Sequence, residues 1–210
     1  MIDILDLPKN SLEDRTYGIK QVLQQFESDN FDVASSSVLD IFSGDGSYCS
    51  YLLGDVVKDI DCISTSLDDL KNVSKLIPNA TTILGDSFDV IKHLDKTYDI
   101  IFCDNPQGIL PNKKCEYFDL LNKVPNRINR GGYFIHNVNV SPYNYDKNSL
   151  WSKTRDEFYK TNSENLDLDF IKQFHSEYFS SIGLTPEYVK LIPREKIDSK
   201  IYLYFVIYKF

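Results

Sequence analysis

Residues 38–53 read VLDIFSGDGSYCSYLL, and this stretch decides how the rest of the chain is interpreted. The apolar run at 38–42 has the composition of a buried strand. The sequence GDG at 44–46 then predicts a tight turn, because glycine adopts positive φ angles without steric cost. Apolar residues resume at 47–54, where we expect a helix. A strand, a glycine turn and a helix in this order are typical of the first unit of an α/β nucleotide-binding fold.

The same alternation of strand and helix continues to about residue 140. Strands are predicted where apolar runs of suitable length occur, at 59–65, 81–86, 98–104 and 131–140. Helices are predicted between them, at 66–77, at 87–94 and around the sequence EYFDLLNKVPNRI. This alternation predicts a parallel sheet with helices on both faces.

The C-terminal segment departs from this alternation. After a predicted helix at 166–182, the sequence YVKLIPREKIDSKIYLYFVIYKF contains two strands separated only by a short polar turn. Such a pair is most simply an antiparallel hairpin. The predicted fold is therefore a doubly wound α/β fold with a seven-strand sheet, mostly parallel, ending in an antiparallel hairpin strand.

The length of 210 residues, of which 42% are hydrophobic, fits one domain with a sizeable core. We expect residues 1–37 to form an N-terminal helical cap on a core at 38–210. Ser11, followed three residues later by Asp14, forms a capping box that predicts the start of a helix at 11–28.

The segment at 139–165 is long, polar and rich in aromatic residues, among them Tyr143, Tyr145 and Trp151. Long segments of this kind in a compact domain are often lids or binding loops, so this segment is a possible lid over a site. The alternative is a helix packed on the surface through Trp151 and Phe158.

Charge and targeting signals limit the partners. The formal charge of −8 argues against a protein that holds a nucleic-acid backbone through many phosphates, so nucleic acid is the less favoured partner. The four cysteines show no CxxC or disulfide-framework spacing. No signal peptide is recognisable and no apolar run reaches the length of a membrane span. We expect a cytoplasmic protein without a membrane partner, and oligomeric state stays open.

The residues around the glycine turn restrict its ligand. A P-loop is excluded, because no Lys-Ser or Lys-Thr pair follows the turn. The dinucleotide fingerprint GxGxxG fits Gly44 and Gly46, but its third position is Cys49. Asp40 at the strand end and Asp45 in the turn would repel a pyrophosphate. Two carboxylates suit a ligand with positive charge, such as an amino group or a sulfonium, and S-adenosylmethionine carries both.

The stretch at 38–53 resembles motif I of the class I S-adenosylmethionine-dependent methyltransferases. Four later features resemble that family in the same order: LGDSFDVIKHL, YDIIFCD, RGGYFI and the C-terminal hairpin. The resemblance covers residues 38–210, and in outline it is nearest to the small O-methyltransferases. It implies a Rossmann-like fold, S-adenosylmethionine as cofactor and methyl transfer as activity.

The resemblance also implies a cofactor site. Its residues would be Asp40, Phe42, Gly44, Gly46, Ser64, Asp86, Ser87 and Asp104. Gly44 and Gly46 would let the backbone approach the methionine moiety, with Asp40 near the amino group. Asp86, with Ser87, would contact the adenine.

One position departs from the family pattern. The family usually carries an acid at the end of the second strand, where it holds the ribose hydroxyls, and this chain has Ser64 there. Asp61 lies within the strand and Asp68 in the next helix. This departure supports a further alternative, in which the protein binds the cofactor without catalysing a reaction.

The sequence CDNPQGILP at 103–111 follows the fourth strand, where open α/β sheets place their chemistry. Asn105 and Pro106 resemble part of the D/N-P-P-aromatic motif of enzymes that methylate amino groups of DNA and RNA. The second proline and the aromatic residue, which would stack on a flipped base, are missing. An N-methyltransferase of a nucleobase or nucleic acid is therefore the alternative.

Small metal-dependent O-methyltransferases of the catechol type also resemble this chain. Their divalent metal ligands would correspond to Asp104, His136 and Asn137, although histidine suits Mg²⁺ poorly. Asp104 and His136 are also the candidate catalytic residues, with His136 as a possible general base. The other interpretation of His136 is a hydrogen-bonded histidine at a strand end. On these grounds we expect methylation of a small molecule, most simply on oxygen.

Overall fold

The computed structural model describes residues 9–104, 120–141, 146–197 and 200–210. Seven strands form its sheet: β1 (Ser37–Asp40), β2 (Asp59–Ser64), β3 (Ala80–Leu84), β4 (Tyr98–Cys103), β5 (Ile128–Asn139), β6 (Tyr188–Ile197) and β7 (Lys200–Lys209). Their order is β3-β2-β1-β4-β5-β7-β6. The first five strands pair in parallel, and β7 runs antiparallel to both β5 and β6. The predicted fold class is confirmed.

Six α-helices lie in the described ranges: α1 (Lys9–Ser28), α2 (Ser50–Gly54), α3 (Leu67–Leu76), α4 (Ser87–His93), α5 (Leu150–Tyr159) and α6 (Leu168–Ser181). Short 3-10 helices occur at Val33–Ser35 and Pro125–Arg127. The side chains that cap α3 to α6, each accepting a backbone N–H, are Ser66, Asp86, Ser149 and Asp167. The expected start of the first helix at Ser11 was wrong, because α1 already includes Lys9.

Helices cover both faces of the sheet, as predicted. The core on the first face includes Ile19, Val22 and Phe26 of α1, Leu53 of α2 and Val73 of α3. The core on the second face includes Ile91 of α4, Tyr159 of α5, and Ile171 and Phe179 of α6. Each strand therefore contributes alternate side chains to two separate apolar layers.

The helix α1 approaches the sheet very closely at one point. A Cβ atom at Gly18 would lie 2.6 Å from the Cα atom of Arg194 in β6, a distance too short for any side chain. Glycine at this position therefore allows the helix backbone to rest directly on the strand, and it fixes α1 beside the C-terminal hairpin.

The segment predicted as a possible lid contains helix α5. Trp151 and Phe158 are half-buried and pack against the core of the second face. Tyr143 and Tyr145 lie outside the described residues. The packing matches the alternative of a surface helix, and the lid stays a prediction. No helix in the described ranges is both long enough and apolar enough to cross a membrane.

The strand order indicates where in the sheet a ligand site is expected. The chain winds from β1 outward to β3 and then returns to β4 on the other side of β1. In open α/β sheets, ligands bind at such a switch point, in the crevice beyond the carboxyl ends of the strands. Here β1 ends at Asp40 and β4 at Cys103. The strand β6 is parallel to β5, so its end near Arg194 lies at the same edge.

Candidate functional site

The glycine turn after β1 begins the site. Gly44 and Gly46 have φ angles of +53° and +80°, which are strained for other residues. A Cβ atom at Gly46 would lie 3.1 Å from Cγ2 of Val73, whereas one at Gly44 would meet no atom within 4 Å. Gly46 is therefore constrained by packing on α3, while Gly44 borders open space. Both are where the sequence predicted a tight turn.

Asp45 has a structural role in the turn. Its Oδ1 accepts hydrogen bonds from the backbone N–H of Ser47 at 3.0 Å and from the Ser47 hydroxyl at 2.6 Å. This Asx-type contact stabilises the turn itself.

Asp40 is a buried carboxylate without a hydrogen-bond partner in the described structure. Its side chain is 1% exposed, and neither carboxylate oxygen is paired. Burial raises its pKa to about 7; the charge of Asp104 adds to this rise, and the hydroxyl of Ser50 and the N–H of Phe42 offset part of it. Neither of those donors reaches hydrogen-bonding geometry. Such a group needs a proton or a cationic partner.

Asp104 follows β4 and is held by Arg194 of β6. The Arg194 Nε lies 2.6 Å from Oδ1 and Nη2 lies 2.9 Å from Oδ2, with side-chain exposures of 2% and 5%. The Cys49 thiol, whose pKa is raised by burial and by Asp104, donates to Oδ2 at 3.3 Å. The rings of Tyr48 and Phe205 lie 5.1 Å and 5.9 Å from the guanidinium carbon. The carboxylate is thus fixed in position.

Asp40, Asp104 and Asn137 lie on the same face of three adjacent strands. Asp40 pairs in register with Phe102, and Phe102 with Ile135. Asp104 and Asn137 each lie two residues further along their strands, and a period of two keeps side chains on one face. Asn137 is 2% exposed, and its amide nitrogen has no hydrogen-bond partner in the described ranges.

The structure does not bring His136 to this group. His136 belongs to the second face, because adjacent residues in a strand point to opposite faces. It is fully buried, its Nε2 lies 2.7 Å from the hydroxyl of Tyr208, and its Nδ1 lies 3.1 Å from the carbonyl of Asn137. The carbonyl can only accept, so Nδ1 carries the proton and Nε2 accepts from Tyr208. Burial lowers the pKa of His136 to about 4.

This placement corrects two expectations. His136 is a hydrogen-bonded core histidine, the alternative that the sequence left open, and its surroundings do not suit a general base. A metal ion held by Asp104, His136 and Asn137 together also lacks geometric support, because His136 and Asn137 face opposite ways. Within the described residues, no group of three or more His, Cys, Asp or Glu side chains could hold a metal ion.

At the end of β2 the structure adds an acid that the sequence analysis passed over. The hydroxyl of Ser64 donates to Oδ2 of Asp69 at 3.4 Å, and the N–H of Ser66 donates to Ser64 at 3.2 Å. Asp69 lies in the first turn of α3. Asp61 is instead bonded to Tyr98 at 2.7 Å. An acidic residue therefore lies at the β2 end, supplied by the following helix.

Beyond β3, Asp86 caps α4 by accepting from the N–H of Phe88 at 2.9 Å, and its side chain is exposed. Ser87 is buried, and its hydroxyl donates to the carbonyl of Ile41. The ring of Phe42 lies 6.3 Å from that of Phe88. The first turn of α4 is thereby tied to the glycine turn, and the predicted cofactor residues after β1, β2 and β3 follow one another along the edge.

Sequence analysis missed Arg194. Its partner lies 90 residues earlier in the chain, so no local pattern connects them. Nothing in the sequence distinguishes Arg194 from the other charged residues of β6, which are Lys190, Glu195 and Lys196. The alternative of a nucleic-acid methyltransferase rests on the sequence Asn105–Gly108, which lies outside the described residues.

Comparisons with known proteins found similarity in structure only. No family model matches this sequence, and no curated protein matches it. Among solved structures, magnesium protoporphyrin IX methyltransferase from Synechocystis, with bound SAH, superposes with a TM-score of 0.58 at 12% identity. The match covers 100% of this chain and 88% of that one. An rRNA methylase from Streptococcus thermophilus gives a TM-score of 0.53 at 15% identity, over 90% and 93% of the two chains.

A third match is a protein from Streptococcus mutans assigned as a SAM-dependent methyltransferase. It has a TM-score of 0.55 at 17% identity and covers 85% of this chain. This chain spans 45% of that protein. Identities at this level show the fold alone. The chain therefore has the Rossmann-like fold of the S-adenosylmethionine-dependent methyltransferases.

Proposed function

We propose that the protein is an S-adenosylmethionine-dependent methyltransferase that acts on a small-molecule acceptor, most simply by O-methylation. One observation carries this proposal. Asp40 is a buried carboxylate without a hydrogen-bond partner in the described structure, at the switch point of the sheet and beside a glycine turn.

The chemistry of Asp40 selects among ligands. A buried ionised carboxylate without a partner is costly. A phosphate group would add a second negative charge beside it, whereas the amino group of a methionine moiety would neutralise it. The Synechocystis protein, of the same fold, was solved with bound SAH and with bound SAM. Residues and fold therefore favour the same cofactor.

The remaining edge residues suit the rest of this cofactor. Gly44 borders open space, which would let a ligand approach the backbone closely. Ser64 with Asp69 would hold the ribose hydroxyls, so the acid that is missing from the strand end would be supplied by α3. Asp86 and the first turn of α4 would lie near the adenine. The order methionine, ribose, adenine would then follow β1, β2 and β3.

When bound, S-adenosylmethionine supplies an electrophilic methyl group. The chain's part in the reaction is chiefly to position the acceptor. Asp104 is suited to this, because its two-point bond with Arg194 fixes its orientation. A carboxylate has about four lone-pair sites, so after its bonds to Arg194 and Cys49 it could still accept a hydrogen bond from an acceptor hydroxyl. Asn137, with its unpartnered amide on the same face, is the second candidate contact.

RNA is the second candidate acceptor. The fold is shared with the rRNA methylase from Streptococcus thermophilus, and Asn105-Pro106 resembles part of an amino-methylating motif. The net charge of −8 favours the small molecule. Both acceptors would use the same cofactor edge.

Calorimetric titration with S-adenosylmethionine, S-adenosylhomocysteine and NAD tests the cofactor. We expect binding of the first two, and a preference for NAD would refute the proposal. Transfer of radiolabelled methyl to a panel of phenols, catechols and carboxylic acids, run beside unmodified RNA, tests the acceptor. Label in RNA alone would favour the second candidate. Cofactor binding without transfer to any acceptor would indicate a protein that binds S-adenosylmethionine without catalysis.

A further inference from the structure

A second buried charge lies on the other face of the sheet. Arg155 of α5 is fully buried, yet no carboxylate of the described residues lies within ion-pair distance of it. Its Nε donates to the carbonyl of Ser163 at 3.2 Å, and its Nη2 donates to the carbonyl of Asn139. The remaining nitrogen, Nη1, is buried without a hydrogen-bond partner in the described part of the chain.

A second unpartnered nitrogen lies close to Arg155. His175 of α6 is fully buried, and its Nδ1 has no hydrogen-bond partner in the described structure. Its Nε2 lies 3.3 Å from the hydroxyl of Tyr159, whose ring lies 5.2 Å from the guanidinium carbon of Arg155. Tyr159 therefore contacts both side chains and holds them together.

Both unpartnered nitrogens can donate a hydrogen bond. Arginine has no acceptor atom. Burial and the charge of Arg155 lower the pKa of His175 well below its usual value, so its ring is neutral. When the Tyr159 hydroxyl donates to Nε2, the single ring proton resides on Nδ1. In that tautomer the cluster contains one positive charge and two donor nitrogens without a hydrogen-bond partner in the described residues.

The cluster of Arg155, Tyr159 and His175 lies close to the end of β5, where the proposed acceptor site begins. Arg155 is bonded to Asn139, the last residue of β5 and two residues beyond Asn137. The indole of Trp151 lies 5.5 Å from the guanidinium carbon and is half-buried. Arg155 is therefore buried next to the carboxyl edge of the sheet.

We propose that Arg155 and His175 form a binding site for a carboxylate group, carried by the methyl acceptor. A buried guanidinium without a counter-ion is costly, and an anion would remove that cost. A carboxylate is matched to two donors, because each of its oxygens can accept one hydrogen bond. The identity of the ligand as the acceptor rests on the proposed function; the carboxylate site itself does not.

Acetate is the probe for this site, and acetamide is its neutral control. We expect acetate to raise the melting temperature of the full chain in a saturable manner at constant ionic strength. Acetamide and chloride should not do so, and inorganic phosphate should do so less than acetate. A phosphate effect larger than that of acetate, or no saturable acetate effect, would overturn the proposal.

The variant R155M removes the charge and keeps most of the volume, and it should weaken acetate binding by about tenfold or more. The matched control is K153M, which removes a positive charge from an exposed position of the same helix. It should bind acetate as the original chain does. Equal acetate stabilisation of R155M and the original chain would overturn the proposal.

A second variant covers the case in which R155M does not fold. H175F removes one donor and leaves Arg155 in place, so it should fold and bind acetate several-fold more weakly. Titration of S-adenosylmethionine into the same proteins separates this inference from the proposed function. Acetate saturation without cofactor binding would refute only the cofactor proposal, and cofactor binding without acetate saturation would refute only the carboxylate site.

Discussion

Arg194 of β6 and Asp104 after β4 form a two-point ion pair, with Nε 2.6 Å from Oδ1 and Nη2 2.9 Å from Oδ2. Both side chains are nearly inaccessible to solvent. The pair joins the C-terminal hairpin to the acid at the switch point, so the hairpin contributes to the site as well as to the sheet. It also places the positive charge of Arg194 against the buried carboxylate of Asp104.

Replacing Arg194 by methionine should lower the free energy of unfolding by about 3–5 kcal/mol, because it leaves a buried carboxylate without its counter-charge. Urea denaturation at pH 7 measures this loss. The double variant R194M/D104N should lose less than the sum of the single variants. K71M breaks an exposed pair with Asp68 and should change stability by at most about 1 kcal/mol. An equally small effect of R194M would contradict the role assigned to the pair.

The fold could be predicted because its signals are local. Alternating apolar runs and capped helices indicate the parallel strands, and the two adjacent C-terminal runs indicate the hairpin. The glycine turn was also predicted correctly, because it is a local feature of the sequence after β1. The start of α1 was not predicted correctly, because the helix extends beyond the capping box at Ser11 and already includes Lys9.

The rest of the site depends on contacts between distant residues. Arg194 meets Asp104 only through the strand order, and Asp69 reaches Ser64 only once α3 has packed beside β2. The position of His136 is a different case. Neighbouring residues in a strand face opposite ways, so His136 and Asn137 could not serve one metal ion. This alternation of side chains along a strand follows from the sequence alone.

Asp40 should make the stability of the chain fall as the pH rises. Burial raises its pKa from 3.8 to about 7, so the folded state holds its proton more tightly than the unfolded state. Stability should therefore decrease between about pH 4 and pH 7, by up to about 4 kcal/mol. In the variant D40N this decrease should be absent, and the folded state should be more stable than that of the original chain at pH 8.

Denaturation curves from pH 5 to pH 8 measure this effect, with D95N at an exposed position as the control. D95N should keep the slope of the original chain. The same D40N protein should bind S-adenosylmethionine much more weakly, because it no longer provides a negative charge. A stable D40N that binds the cofactor with unchanged affinity would remove the main support for the proposed function.

His136 should contribute to stability and not to catalysis. In H136F the buried hydroxyl of Tyr208 loses its partner, which should cost about 1–3 kcal/mol. Adding Y208F should recover part of this loss, because both polar partners are then absent. Cofactor affinity and methyl transfer should stay unchanged. A fall in turnover of about a hundredfold or more in H136F, with the fold intact, would restore His136 as a general base.

The same residue should destabilise the chain in acid. Burial lowers the pKa of His136 to about 4 from 6.5, so the folded state favours the neutral ring. The stability that this preference provides is complete above about pH 6.5 and is lost as the pH falls towards 4. Unfolding measured at pH 7 and pH 5 should show a smaller difference for H136F than for the original chain. H93Q, at an exposed position, should show the original difference.

Gly44 offers the most direct test of whether the turn contacts a ligand. In G44V the added Cβ would meet no protein atom within 4 Å apart from the flanking residues, and the side chain would occupy the space beside the turn. The φ angle of +53° should cost roughly 1–2 kcal/mol of stability, and the fold should remain. We expect calorimetry to detect no binding of S-adenosylmethionine to this variant.

Gly131 provides a matched control for the same substitution. It has a φ of +81° with open space around its Cβ position, and it lies near the start of β5, away from the carboxyl edge. G131V should therefore lose a similar amount of stability and keep its cofactor affinity. Backbone strain alone would weaken binding in both variants, whereas contact with the ligand would weaken it only in G44V. Unchanged affinity in a folded G44V would show that the turn does not touch the cofactor.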